Sequence, residues 1–280
     1  MIALLAGMNG LAAGQVTIDI TGSPKLPVPN MLANPGFEKG NSMPENWKVV
    51  PSTTYYINSS DESQWYQFKR IQSGGLNESY VRLDVSKSST LDGLGISQAV
   101  KVEPGALYRM GAWVRIRGGK PWIHVRHSDN NYFNSNMVDC QSSSWGCNPI
   151  VTSGFLPLEW TQSAVPNKWL WLGCEVAAQP EDDVMYLMLT SARDRASVDF
   201  DSAFFGLART KLSLNVAGSE LKNVIVKDDI GKVCWNSGQL QPGTSSLSEV
   251  IPDLSTSLRY QVIVTAVDGK ETIKWYPEVQ

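Results

Sequence analysis

Apolar and polar residues alternate along most of this chain, and helical three-to-four spacing of apolar residues is almost absent. The alternation predicts β-strands, because successive side chains of a strand point to opposite faces. Clusters of Gly, Pro, Asn and Asp separate the alternating segments, which is the pattern of a β-sandwich. The clearest predicted strands are Tyr80–Val85, Ile96–Val102, Leu107–Ile116, Trp122–Arg126, Trp169–Val176, Val184–Thr190 and Val198–Phe205.

The pattern changes near Arg209, which predicts two domains. Eight of the ten tryptophans lie between Trp47 and Trp171, and the tail has short strands of its own. We predict a large β-domain over residues 30–208 and a small immunoglobulin- or fibronectin-like sandwich over residues 209–280. Residues 15–29 form a Pro-rich lead-in that proline excludes from any central strand. The predicted tail strands are Leu212–Val216, Val224–Val226, Lys232–Trp235, Tyr260–Ala266 and Thr272–Tyr276.

Composition supports an all-β protein and argues against nucleic acid as its partner. The chain holds 10 Trp, 23 Gly and 15 Pro, whereas only 18% of its residues are charged. Many aromatic residues and turn formers with few charges are typical of β-proteins. The net charge is −3, so there is no basic field for phosphates, and nucleic acid is not an expected partner.

The first fourteen residues are small and apolar and end in residues that a signal peptidase accepts, although they lack a basic start. We predict a signal peptide over residues 1–14, and therefore a secreted or cell-surface protein. A buried N-terminal strand or helix is the alternative. No segment reaches the roughly 20 apolar residues that span a bilayer, so no membrane span is expected.

The four cysteines predict one disulfide and no metal site. Cys140 and Cys147 flank a short polar loop that a bridge would close, and Cys174 alternates in phase with apolar neighbours, as a buried thiol would. No Cys/His spacing suggests zinc. With two histidines in all, a multi-His site is excluded.

Large rings and charged groups occupy the non-core positions of three predicted strands. A sugar ring offers an apolar CH face and a rim of hydroxyls, which Trp with neighbouring Arg, His and Glu would match. Outward rings of this kind are costly in water unless they serve a purpose. We predict one glycan-contacting face, with Trp145 at its rim; the alternative is that the tryptophans lie under loops or against the second domain. The predicted face consists of Trp113, Arg115, Trp122, His124, Arg126, Trp169, Trp171 and Glu175.

Three stretches of the large domain resemble the CenC-like families of carbohydrate-binding modules, which are galactose-binding-like jelly rolls. They are Asn34-Pro-Gly-Phe-Glu38 with Pro44-Glu-Asn-Trp47, Ile96–Gly105 running into Tyr108–Arg115, and Val198-Asp-Phe-Asp201. The resemblance implies an opening strand and first loop at the first stretch, a two-sheet jelly roll, glycan binding and a structural calcium ion. Glu38 and Asp201 match the calcium-binding positions of the family. The family commonly has adjacent Asp residues in its closing strand, whereas Phe200 separates Asp199 from Asp201 here.

Catalytic motifs are missing from the sequence. There is no Gly-x-Ser-x-Gly elbow, no P-loop and no dinucleotide fingerprint. We therefore predict no catalytic residues and a non-catalytic, polysaccharide-binding accessory protein, with a glycoside hydrolase or a cell-surface protein as an expected partner. A structural or adhesive surface protein is one alternative, and a jelly-roll lyase or hydrolase is another.

Overall fold

The computed structural model describes residues 16–50, 66–85, 94–119, 121–126, 137–139, 148–150, 167–191, 196–218 and 220–278. Throughout these ranges the regular structure is antiparallel β-strand, with no helix, so the all-β prediction is confirmed. No helix there is long and apolar enough to cross a membrane. The chain forms two compact units, one of residues 30–207 and one of residues 1–29 with 208–280. The predicted signal peptide, residues 1–14, lies outside the described residues.

The first unit is a sandwich of two antiparallel sheets. Over the described residues, one sheet has the order β3-β4-β12-β6-β10-β9 and the other β2-β5-β11-β7-β8. The chain passes repeatedly from one sheet to the other, as in a jelly roll. The strands are β2 (Lys48–Val50), β3 (Tyr66–Ile71), β4 (Tyr80–Val85), β5 (Leu94–Lys101), β6 (Leu107–Gly118), β7 (Pro121–Arg126), β8 (Met137–Asp139), β9 (Asn148–Ile150), β10 (Trp169–Ala177), β11 (Val184–Ser191) and β12 (Ala196–Leu207).

The core of this unit lies between the two sheets and contains the predicted apolar faces. Met110 on β6 and Leu172 on β10 belong to the same buried cluster as Ile123 on β7 and Leu187 on β11. Burying a side chain of this size stabilises the fold by about 1.5–3 kcal/mol. Because both sheets turn their apolar faces to this cluster, their other faces point to opposite sides of the sandwich. We call these the outer faces.

The stretch expected to form the opening strand is instead a closed turn. Asn34 and Phe37 have positive φ angles of 51° and 58°, which a strand does not accommodate. The Asn34 amide also closes the loop, because it donates to the carbonyl oxygens of Lys39 and Glu45 at 2.9 and 3.1 Å. Trp47 follows the turn and is buried in the core, with its ring 5.1 Å from that of Phe37.

The second unit is also a two-sheet sandwich, with orders β1-β13-β16 and β15-β14-β17-β18. Val216, Val224 and Val262 lie in its core cluster. Its assignment to the immunoglobulin or fibronectin class stays a prediction. The strands are β1 (Thr17–Ser23), β13 (Arg209–Ala217), β14 (Leu221–Asp228), β15 (Val233–Asn236), β16 (Ser246–Ser255), β17 (Tyr260–Ala266) and β18 (Glu271–Tyr276).

The Pro-rich lead-in is part of this second unit, contrary to its treatment as a separate segment. Residues 17–23 pair with β13 along their whole length. Pro24 follows directly, and its carbonyl oxygen accepts a 2.8 Å hydrogen bond from the Thr210 hydroxyl. Proline is tolerated here because β1 is an edge strand that ends before it.

Candidate functional site

Two neighbouring strands bring five of the predicted face residues together. In the β6–β10 ladder, Trp169 lies opposite Arg115 and Trp171 lies opposite Trp113. Glu175 lies further along the same face of β10, and all five residues alternate with core residues. They therefore share the outer face of the six-stranded sheet.

Aromatic rings and a guanidinium stack tightly on this face. The Arg115 guanidinium lies 4.4 Å from the Trp169 ring centre and 4.9 Å from that of Tyr80. The Trp113 and Trp171 rings meet edge to face, with centres 6.1 Å apart. Contacts of both kinds are favourable by about 0.5–1.5 kcal/mol each. Trp113 and Trp169 remain half-buried, so part of each ring faces solvent.

A pair of glycines makes room for Trp171. Gly111 and Gly173 lie opposite each other on β6 and β10, and a methyl group added to either would meet the Trp171 indole and a backbone carbonyl oxygen. The indole therefore lies over bare backbone and is only 7% exposed. Its Nε1 is buried without a hydrogen-bond partner among the described residues.

Arg109 extends the face beyond Trp171. Its guanidinium lies 5.6 Å from the Trp171 ring centre, and its Nε is also buried without a partner in the described part of the chain. Burial lowers the pKa of Arg109, and the charge of Glu175 opposes that shift. Two buried N–H donors thus lie close together, an arrangement that is uncommon in folded proteins.

A buried carboxylate held by three arginines lies beside the aromatic rings. Asp199 on β12 is fully buried. It accepts hydrogen bonds from the Nε atoms of Arg82, Arg115 and Arg117 at 2.7, 2.8 and 2.9 Å. Arg82, Asp199, Arg115 and Trp169 form one row across β4, β12, β6 and β10. The hydrogen bond to Asp199 is the main cause that raises the pKa of Arg82.

Sequence reasoning missed this cluster. Asp199 alternates with the core residues Val198 and Phe200, so it had to face away from the core, as Arg115 and Arg117 do. What the sequence does not give is the pairing of β12 with both β4 and β6.

The prediction of a single face spanning three strands is wrong for β7. Trp122, His124 and Arg126 lie on β7, which belongs to the five-stranded sheet. The core-facing positions of β7 are Ile123 and Val125, so its other positions belong to the opposite outer face. Arg126 is moreover 4% exposed, so it is buried there.

The cysteines depart from the prediction as well. Cys174 is fully buried but disulfide-bonded, not a thiol, and Cys234 is free. Cys140, Cys147 and Trp145 lie outside the described residues. A Cys140–Cys147 bridge would leave Cys174 without a partner in this chain, so the predicted pairing is incompatible with the bond at Cys174.

The two predicted calcium ligands reach the same loop, between β3 and β4. The Asp201 Oδ2 accepts a 2.6 Å hydrogen bond from the Leu76 N–H, and its Oδ1 accepts bonds from the Ser202 N–H and hydroxyl. Burial raises the pKa of Asp201. Both oxygens of Glu38 accept from the Ser79 N–H at 3.3 Å.

These surroundings fit a hydrogen-bond network better than a calcium shell, which takes six to eight oxygen ligands. Arg70 already supplies a cation, because its guanidinium donates to the carbonyl oxygens of Phe37 and Glu38 and to the Ser79 hydroxyl. In the described ranges, no group of three or more His, Cys, Asp or Glu residues could hold a metal ion. Calcium stays a prediction of the family resemblance.

No family model matches this sequence, and no curated protein matches it. Solved structures with similar folds include the enzymatically active domain of tailspike protein 4 from bacteriophage CBA120, at 13% identity and a TM-score of 0.41 over 64% of this chain and 21% of that one. The CBM22-1 xylan-binding domain of Paenibacillus barcinonensis Xyn10C matches at 14% identity and a TM-score of 0.38, over 61% and 90%.

A third similar structure is TmCBM61 in complex with β-1,4-galactotriose, at 19% identity and a TM-score of 0.35, over 64% of this chain and 99% of that one. Carbohydrate-binding modules thus occur among the similar structures. Because these TM-scores are below 0.5, the jelly-roll assignment rests on the strand order of this chain itself.

Proposed function

We propose that this protein binds carbohydrate without catalysis, through the outer face of its six-stranded sheet. The observation that carries the proposal is the row of rings and charges on β6 and β10, where Trp113 and Trp169 are half-buried, Arg115 lies beside Trp169, and Glu175 is buried further along β10. Polysaccharide or oligosaccharide is the proposed partner.

The chemistry of this face suits a sugar ring. The exposed parts of Trp113 and Trp169 offer flat apolar surfaces for the CH face of a pyranose. Guanidinium groups donate hydrogen bonds in a fixed plane, so the Arg115 guanidinium beside the rings complements sugar hydroxyls. The Trp171 ring packs over Gly111 and Gly173 and contacts the Trp113 ring edge to face. It therefore supports the Trp113 ring that the sugar would contact.

A non-catalytic role is favoured by the state of the carboxylates nearest the rings. Glycoside hydrolysis needs two carboxyl groups on either side of the scissile bond, about 5–9.5 Å apart, one of them able to give up a proton. Asp199 is fully buried under three arginines, and Asp201 accepts hydrogen bonds from the Leu76 and Ser202 backbone. Neither is placed to act on a sugar above the face, and Glu175, the carboxylate on β10, is itself buried.

We also propose that the protein is exported and acts as an accessory to a glycoside hydrolase or a cell-surface partner. The bond at Cys174 supports export, because disulfides persist in secreted and surface proteins and are rare in the cytosol.

A glycan array with the purified chain tests the proposal, with Trp113→Ala as the matched variant. We expect retention of at least one plant or microbial polysaccharide by the parent chain, and a weaker signal from the variant. A reducing-sugar assay and a lyase assay on the bound glycan should find no turnover. An array without any binding would contradict the proposal, and sustained turnover would contradict its non-catalytic part.

A further inference from the structure

We propose that the three arginines around Asp199 make this face selective for glycans that carry carboxylate groups, and that Arg117 is the residue that contacts the uronate. This inference rests on the proposed function, because it assigns the sugar class to the same face.

The balance of charge around Asp199 is positive. Three guanidiniums surround one carboxylate, which leaves two positive charges in the cluster. Lys69 lies opposite Arg82 on β3, and Asp84, which accepts a 2.5 Å hydrogen bond from the Ser197 hydroxyl, offsets it. Lys69 and the three arginines are four cations. Asp199, Asp84 and Asp201, if all are ionised, are three carboxylates, so the surroundings of Asp199 keep a net positive charge.

Arg117 is the arginine with unused donors at the surface. Its Nε bonds to Asp199, and its side chain is 37% exposed, the most of the three. Arg82 also donates to the Tyr80 hydroxyl, and Arg115 to the Gly74 carbonyl oxygen. The Nη1 and Nη2 groups of Arg117 make no hydrogen bond within the described residues.

The free end of that guanidinium matches a carboxylate in shape. The Arg117 Nε donates a hydrogen bond to Asp199, which holds the guanidinium in place. The two Nη groups of Arg117 then present parallel N–H donors. Parallel N–H donors bind the two oxygens of a carboxylate together, which gives both strength and geometric selectivity. A lysine at the same position would keep the charge but lose this planar pair of donors.

Arg117 can be changed without removing the support of the buried carboxylate. In Arg117→Gln, Asp199 keeps its bonds to Arg82 and Arg115. Lys101, which is exposed at the end of β5 in the other sheet, provides the control Lys101→Gln with the same loss of charge.

The experiment compares oligogalacturonate with the same oligomer methyl-esterified at its carboxyl groups, by titration calorimetry at low and high salt. We expect the parent chain to prefer the acid by about tenfold or more, the effect of one charge-assisted hydrogen bond. Salt should weaken that preference. Arg117→Gln should abolish it, Arg117→Lys should retain only part of it, and Lys101→Gln should leave it intact.

The outcomes separate this inference from the proposed function. Equal binding of acid and ester, a preference that survives in Arg117→Gln, or a preference for a sulfated oligomer over the uronate would each overturn the inference, while carbohydrate binding itself would stand. Failure to bind any neutral or acidic glycan would instead overturn the proposed function.

Discussion

Arg115 and Asp199 lie directly opposite each other on β6 and β12, and the Arg115 Nε donates to the Asp199 Oδ2 at 2.8 Å. The same carboxylate holds two further arginines from the same face. Asp199 therefore joins three strands, and the aromatic rings beside it depend on the position of Arg115.

The variant Asp199→Asn should lose about 3–5 kcal/mol of unfolding free energy, because it removes the charge of the carboxylate that Arg82, Arg115 and Arg117 share. Denaturant titration measures this loss. Asp84→Asn on the adjacent strand is the control and should cost about 1 kcal/mol or less, since the amide oxygen can still accept the hydrogen bond from the Ser197 hydroxyl and only a partly exposed charge is lost. Equal losses of unfolding free energy in Asp199→Asn and Asp84→Asn would contradict the role of Asp199 as the carboxylate that holds three arginines.

The glycine pair under Trp171 gives a second prediction. Gly111→Ala should destabilise the protein by about 1–3 kcal/mol, because the new methyl group meets the Leu172 carbonyl oxygen and the Trp171 ring. Gly118→Ala lies on the same strand, and no atom of the described residues lies within 4 Å of the added methyl group, so its melting temperature should stay the same or rise slightly. If Gly111→Ala is as stable as Gly118→Ala, the indole does not lie over the backbone as described.

Disulfide mapping should join Cys174 to Cys140 or Cys147 and leave Cys234 unpaired. Digestion of the alkylated, unreduced protein followed by mass spectrometry identifies the joined peptides. A peptide with Cys140 bonded to Cys147, together with alkylated Cys174, would contradict the bond found at Cys174.

The environment of Glu38 and Asp201 makes a prediction about calcium. Because N–H and O–H donors occupy both carboxylates and Arg70 supplies a cation, excess chelator should leave the melting temperature unchanged. A bound ion that prefers the native state would stabilise it by mass action. A clear fall in melting temperature on chelation, with calcium found by elemental analysis, would establish the ion that the family resemblance implies.

The alternation in the sequence predicted which residues of each strand face the core, but not which sheet each strand joins. Met110, Leu172 and Ile123 are all buried as expected. β6 and β7 are nearly continuous in the chain, yet they lie in different sheets. Period-2 patterns contain no information on this choice, so β7 was grouped with β6 and β10 although it belongs to the five-stranded sheet.

Long-range pairing explains what else was missed. Arg115 and Asp199 are 84 residues apart in the chain, and nothing local to either strand indicates their contact. The turn at Asn34 was mistaken for a strand because positive φ angles at Asn34 and Phe37 are set by the loop that Asn34 closes. β1 was missed because it is an edge strand directly followed by Pro24, in a lead-in that was expected to hold no central strand.

The central claim is that the outer face of the six-stranded sheet binds sugar, and affinity measured beside stability tests it most directly. Trp169→Ala should weaken binding of the glycan identified on the array by about 1–3 kcal/mol, the range for a flat ring stacked on an aromatic side chain, with a modest fall in melting temperature from the lost contacts with Arg115 and Tyr80. Tyr186→Ala is the control, since Tyr186 is a half-buried aromatic residue on β11 in the other sheet, alternating with core residues, and it should leave affinity intact. If Trp169→Ala loses stability but keeps its full affinity, or if Tyr186→Ala is the variant that stops binding, the account is contradicted.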